Sequence, residues 1–362
     1  MTARNTHEAW AMLVSRSDLR DARIAPDPDV QRPLAPGEAL LRLEKFGFTA
    51  SNITYAALGD WIYWKFFPAP KGLGKVPVWG YAVVEQSSAS DLQVGQRLFG
   101  YFPLASHLRV QAKTVPGALI DVAPHRAELP QFYNRYTFVG GSAPGEDYRA
   151  LLLFGTSFLL DDFIDEMQAF ATPCIVLISA SSKTALGTAF LLRKRGLEVI
   201  GLTSAKHKEF VERTGNYSRI VCYDDIATAA LSEPFVVIDF SGNPSVLRAL
   251  HERAPGRIAY VCAVGRTHWE ASSDVASLPD PKPKLFFAPE RVEKRMADWG
   301  PEKFGRSHNE AWAAFTADVP RWLDVHYDQG SDGALRTYLA ALRGETGPAT
   351  GQMVNLAGDP PG

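Results

Sequence analysis

Ser181, Ser182, Lys183 and Thr184 follow a short apolar run, Cys174 to Ser179, and open a segment that reads as helical to about Arg195. Hydroxyls, an ammonium group and the free amides of a helix start are donors suited to a diphosphate. A second apolar run, Leu197 to Leu202, comes next and ends on Thr203, Ser204, Ala205, Lys206, His207 and Lys208. Strand, polar turn, helix and strand within about thirty residues make a dinucleotide-binding unit. The tip of the second strand holds no Asp or Glu to take the ribose hydroxyls of NAD. Thr203, Ser204, Lys206 and Lys208 instead offer hydroxyls and cations, which suit an added phosphate, so the expected cofactor is NADP(H). Plainer roles stay open for the same residues, since Ser and Thr also cap helices and lysines also form solvated surface.

The composition narrows the field. A chain of 362 residues has room for two domains with separate cores. Hydrophobic residues at 46% and charged residues at 22% fit a globular protein. A net charge of -2, with Lys and Arg scattered, gives no footprint for nucleic acid. The 3 cysteines, Cys174, Cys222 and Cys262, lie in apolar runs with neither disulfide nor zinc spacing. They read as buried small hydrophobes in a reducing compartment. Met1 to Trp10 lacks the apolar core of a secretory signal, and no apolar run approaches the roughly twenty residues that span a bilayer. The expectation is a cytoplasmic protein with no membrane partner.

Two patterns divide the chain. Up to about residue 150, short strands stand between Gly and Pro: Ala9 to Ser15, Gly37 to Phe48, Val76 to Glu85, Leu92 to Pro103 and Leu108 to Gln111. Their close spacing predicts a small, strongly bent β domain. Trp61, Tyr63, Trp64, Phe66 and Phe67 crowd one loop between Asp60 and Pro68, either as core or as the wall of an apolar pocket. From Tyr148 to Ala169 apolar residues recur at threes and fours, predicting a helix. Strands are then expected at 219–223, 235–240, 257–264 and 285–289, with helices at 246–253, 310–324 and 335–342 and a last strand at 351–356. Strands alternating with helices argue for a parallel sheet covered on both faces.

This order of parts, together with the wording of Gly37 to Asn52, Val76 to Glu85, Val94 to Gly100, Cys174 to Gly187, Val237 to Gly242, Gly256 to Gly265 and Gly351 to Leu356, resembles the zinc-free, quinone oxidoreductase-like branch of the medium-chain dehydrogenase/reductase superfamily. More narrowly, Ser-Ala-Ser-Ser-Lys-Thr-Ala, Gly-Leu-Thr-Ser, Phe-Phe-Ala-Pro and Thr-His-Trp look like an offshoot family known only as a domain of unknown function. The resemblance implies an α/β protein with a GroES-like β-barrel domain, 1–150 completed by 343–362, and a Rossmann doubly wound domain, 151–342. It places the active site in the cleft between them. It also implies edge pairing of two Rossmann sheets as a route to a homodimer, although no stretch specifies it. Residues 1–173 contain no cysteine, so the zinc sites of alcohol dehydrogenase-type members have no ligands here, and no metal is expected.

Set against the superfamily, Ser182 and Thr184 stand where Ala and Gly are usual, and Gly187 alone survives. Ser241 and Gly242, at the end of the fourth strand, are placed to pass beneath the cofactor, and Val264, Gly265 and His268, after the fifth, near the nicotinamide. Asn52 falls where the superfamily often lines the cleft with Asp or Asn, and Thr49 and Tyr55 lie beside it. Tyr55 is the first choice to donate a proton to a substrate oxygen, since a phenol of pKa about 10 is a donor at neutral pH. His268 is a second proton donor. Core roles remain open for both. The expected function is a metal-free, NADPH-dependent reductase of an activated C=C or C=O bond in a small apolar or aromatic substrate. Two alternatives stand beside it: a lyase or isomerase using the same cleft and nucleotide, and an NADPH-binding protein without turnover.

Overall fold

A computed structural model describes residues 9–167, 174–232, 234–265 and 277–356. They form two compact units. The first takes the described residues through Leu151, then Val325–Gly347 and Gly351 onward; the second takes Leu152–Asp324 and Pro348–Thr350.

The first unit is built on β3 (Glu38–Phe48), with β1 (Trp10–Ser15) and β2 (Ala22–Pro26) preceding it and α1 (Ala50–Ala57) following directly. Next come β4 (Leu73–Gly74), β5 (Pro77–Ser87), β6 (Arg97–Pro103), β7 (His107–Val115), β8 (Ala118–Asp121), α2 (Gln131–Asn134), β9 (Arg135–Val139) and α3 (Glu146–Leu152). The sheet runs β3-β5-β6-β9-β8-β7, and pairing of β3 with β7 closes it into a six-stranded barrel. Glu38 to Arg42 of β3 pair with β7, while Lys45 to Phe48 pair with the last strand of the chain. Two register shifts in β3, at Leu40/Leu41 and Leu43/Lys45, supply the extra twist that so small a barrel needs.

Four of the aromatics expected in a loop, Tyr63, Trp64, Phe66 and Phe67, are buried, and Trp61 alone is exposed. That segment is core, and the pocket-wall alternative fails for the four: each ring removes a large apolar area from water, and Tyr101 gathers Phe66 and Phe67 around its ring.

The second unit begins with α4 (Phe154–Glu166), then β10 (Cys174–Ile178), α5 (Lys183–Lys194), β11 (Glu198–Thr203), α6 (Lys208–Thr214), β12 (Arg219–Cys222), β13 (Phe235–Asp239), α7 (Pro244–Arg253), β14 (Ile258–Ala263), β15 (Lys284–Leu285) and α8 (Ala288–Thr316). All its strands are parallel in the order β12-β11-β10-β13-β14-β15. This is the doubly wound order, which reverses direction between β10 and β13. Every residue of β10 is buried, as a strand covered on both faces requires.

Three expectations differ from what is found. The long helix starts at Ala288 rather than near Glu310 and ends at Thr316; Gly300 at φ 74 and Pro301 break its middle and hide its periodicity. The sixth strand is only two residues, because Pro289 already lies in that helix. Val325–Gly347 belongs to the first unit, not the second. Its β16 (Asp324–Gln329) and α9 (Gly330–Leu342) precede the final β17 (Thr350–Asn355), and buried Tyr338 donates to the Leu19 carbonyl at 2.7 Å while its ring meets Phe48.

Candidate functional site

In doubly wound sheets, ligands sit at the carboxyl ends of the strands where the order reverses. Here the chain leaves β10 through Ser179, a non-glycine residue held at φ 65. The Ser182 amide closes the turn on the Ser179 carbonyl at 2.9 Å, the Ala180 amide bonds Leu202 at 2.9 Å, and Tyr217 donates its hydroxyl to the Ala180 carbonyl at 2.7 Å. Ser182 is the N-cap of α5, its Oγ accepting from the Ala185 amide at 3.2 Å. That leaves the amides of Ser181, Lys183 and Thr184 with no acceptor among the described residues, a cluster of donors of the kind that holds anions.

Lys183, the first residue of α5, is half-buried. Its Nζ reaches only the Pro348 carbonyl, at a long 3.5 Å, and no carboxylate faces it among the described residues. Burial without a counter-ion lowers its pKa to about 8. Thr184 is buried, with its carbonyl accepting from Ser157 at 2.8 Å and Thr188 at 2.9 Å. Gly187 faces α4 and not the turn: a Cβ there would lie 2.7 Å from Ser157 Oγ. The surviving glycine therefore serves helix packing.

The tip of β11 differs in part from expectation. Thr203 is buried, Ser204 half-buried, and Lys206 and Lys208 are exposed. Lys208 Nζ lies 3.9 Å from Glu212, one turn along α6. The residue that turns onto the β10–α5 turn is His207, whose Nδ1 is 3.2 Å from Ser181 Oγ. Burial, and then the charge of Lys206, lower its pKa. Sequence reasoning passed over His207 between its two lysines; its one signal was its place just past the strand end.

At the end of β13, the buried Asp239 carboxylate accepts from the Ser241 amide and hydroxyl, both at 2.8 Å, and from the Gly242 amide at 3.1 Å. Ser241 Oγ in turn accepts from the Asn243 amide at 3.1 Å. The Ser241 hydroxyl thus closes the turn. The amides of Val264 and Gly265 return to the Asp239 carbonyl. Gly265 passes so close to β13 that a Cβ would sit 2.5 Å from the Phe240 oxygen. His268 lies outside the described residues.

In the first unit, Thr49 and Asn52 are buried in a capping box. Thr49 Oγ1 accepts from the Ser51 amide at 3.2 Å, Asn52 Oδ1 accepts from the Thr49 amide at 2.8 Å, and Asn52 Nδ2 donates to the Pro77 carbonyl at 3.0 Å. Asn52 thereby ties α1 to β5, and Tyr55 lies on the next turn of α1. Tyr55 Oη accepts from Trp79 Nε1 at 3.2 Å, and its own proton has no acceptor among the described residues. Burial, reinforced by Tyr63, raises its pKa well above the usual 10. Its ring lies 4.8 Å from Tyr63 and 5.4 Å from Tyr101. The Tyr101 hydroxyl is fully buried with no hydrogen-bond partner among the described residues. Among the described residues no cluster of His, Cys, Asp or Glu is arranged to hold a metal, and no helix is long and apolar enough to cross a membrane.

A closed six-stranded barrel and a doubly wound sheet make up a two-part α/β fold, and solved structures share it. The chain is similar to CurA from Vibrio vulnificus in complex with NADPH, at 14% identity and a TM-score of 0.61, over 97% of this chain and 100% of that one. It is similar to a quinone oxidoreductase of Pseudomonas syringae pv. Tomato DC3000, at 15% identity and 0.57, over 96% and 100%. A third is the yhdH oxidoreductase of Salmonella enterica in complex with NADP, at 15% and 0.52, over 96% and 100%. No curated protein matches the sequence. The chain belongs to the family described as "Protein of unknown function (DUF2855)", whose model matches residues 46–347.

Proposed function

We propose that the protein is an NADPH-dependent, metal-free oxidoreductase that reduces an activated C=C or C=O bond of an apolar or aromatic substrate. The observation that supports this reading is Lys183: a half-buried ammonium that no carboxylate faces among the described residues, set beside three amides without an acceptor there, where the sheet order reverses. A diphosphate supplies the charge that this arrangement lacks. Hydroxyls and cations at the β11 tip, with no acid among 203–208, favour the phosphorylated nucleotide, and relatives of the same fold were solved with NADPH and NADP.

When bound, the nucleotide supplies hydride. The chain's own residues then hold the phosphates, with Lys183 keeping its proton against them. Tyr55 retains a phenolic proton through the neutral range and gives it to the substrate oxygen, while the Trp79 N–H steadies the phenol oxygen.

The test follows NADPH absorbance with quinones and conjugated enones as acceptors. Stoichiometric oxidation of NADPH with product formation supports the reading. Substrate conversion without net NADPH consumption replaces it with a lyase or isomerase, and binding of NADPH with no conversion of any acceptor leaves a nucleotide-binding protein.

A further inference from the structure

The β11 tip carries three basic side chains in a row, and the structure separates them. Lys206 is exposed, and Lys208 is exposed and directed along α6 toward Glu212. His207 is half-buried and bonded to Ser181, whose amide is one of the three unpaired donors of the β10–α5 turn. A nucleotide whose diphosphate rests on that turn presents its adenosine ribose to the tip of the second strand. Resting on the nucleotide-binding reading, we infer that His207 is the group that meets the additional phosphate of NADPH, so that preference for NADPH over NADH is set by an imidazole and rises as that imidazole gains a proton.

The chemistry departs from that of a lysine or arginine reader. Those side chains stay charged across the physiological range, whereas an imidazole changes charge within it. The groups bearing on His207 are the Ser181 hydroxyl, which fixes one ring nitrogen, and Lys206, whose charge opposes protonation; no carboxylate bears on it among the described residues. Free His207 is therefore neutral near pH 7, since burial and Lys206 both act against its charged form. A phosphate dianion placed beside it favours the imidazolium, so binding of NADPH takes up a proton. The sign follows: affinity for NADPH strengthens as pH falls toward the free imidazole's value and weakens as pH rises through the bound value. NADH has no phosphate at that position and shows no such dependence. Lys183 also titrates, but it acts on the diphosphate common to both nucleotides, so the ratio of their affinities cancels its effect.

The experiment measures dissociation constants for NADPH and NADH by fluorescence titration of the whole chain between about pH 6.5 and 8.5, above the range where the phosphate itself protonates. It compares the natural protein with His207→Ala and His207→Lys. The inference expects the NADH-to-NADPH ratio of dissociation constants to fall by roughly tenfold from the acid to the alkaline end. His207→Ala should lower that ratio at least several-fold and remove its pH dependence, with NADH affinity unchanged. His207→Lys should restore the preference with a ratio flat in pH. If both nucleotides bind and the ratio is indifferent to pH and to His207→Ala, the inference is overturned while the nucleotide-binding reading stands. If the natural protein binds neither nucleotide, that reading falls and the inference with it.

Discussion

Lys183→Met keeps a long unbranched side chain at the start of α5 and removes its charge. In the free protein that charge is disfavoured twice: burial lowers the amine from 10.5 to about 8, and the positive end of the α5 dipole opposes it. Because the folded pKa lies below the unfolded one, the penalty is fully present below about pH 8, fades as pH rises toward 10.5 and is gone above it. The interval from about 8 to 10.5 corresponds to roughly 3 kcal/mol at about 1.36 kcal/mol per pH unit. Water reaching a half-buried ammonium screens part of this, leaving a gain of about 1–2 kcal/mol for the methionine. For a unit of this size that raises the melting temperature by several degrees, at about 2–4 °C per kcal/mol. A charge-assisted bond to phosphate is worth about 1.5–3 kcal/mol, so the same substitution weakens NADPH binding at least about tenfold. The assay is thermal unfolding near neutrality and near pH 10, with nucleotide titration alongside. The expected pattern is a more stable free protein near neutrality, a difference that vanishes toward pH 10, and lost affinity. A variant that melts lower near neutrality, or binds NADPH as tightly as before, refutes the reasoning.

Other substitutions separate architecture from chemistry. Ser182→Ala removes the N-cap of α5 and should cost about 0.5–2 kcal/mol in denaturant unfolding. Gly187→Ala forces a methyl to within 2.7 Å of Ser157 Oγ between α4 and α5, and should destabilise by about 1–3 kcal/mol, measured in the same way. Tyr55→Phe should lower turnover by about a hundredfold or more with the NADPH dissociation constant unchanged. In the natural protein, no loss of rate from Tyr55 deprotonation should appear up to about pH 10, because burial holds the phenol protonated beyond that point.

Much of the fold was legible because its signals are local. β10 is apolar at every position, as a strand covered on both faces must be, and β3 already shows its half-buried pattern. The turn after β10 declared its donors through residue types alone. What stayed hidden depended on contacts between distant segments. Nothing local distinguishes Ser241 as a turn-closing hydroxyl from Ser241 as a ligand donor, because the difference is whether the Asp239 carboxylate turns toward it. Thr49 and Asn52 carry the spacing of a capping box, but the bond from Asn52 to Pro77 crosses between elements. His207 drew no reading between its two lysines, because its bond to Ser181 joins two strand ends that are distant in the sequence. The aromatic segment near Trp64 reads as a loop by its Gly and Pro borders, yet becomes core because Tyr101 supplies the surface it packs on.

The central claim is that the turn opening α5 binds the phosphates of NADPH through Lys183 and the amides beside it. Isothermal titration of NADPH into the whole folded chain near neutrality tests it most directly. The account predicts saturable binding to a single site with micromolar affinity, weakening above about pH 8 as Lys183 gives up its proton. A folded protein that takes up no NADPH at millimolar concentration contradicts it.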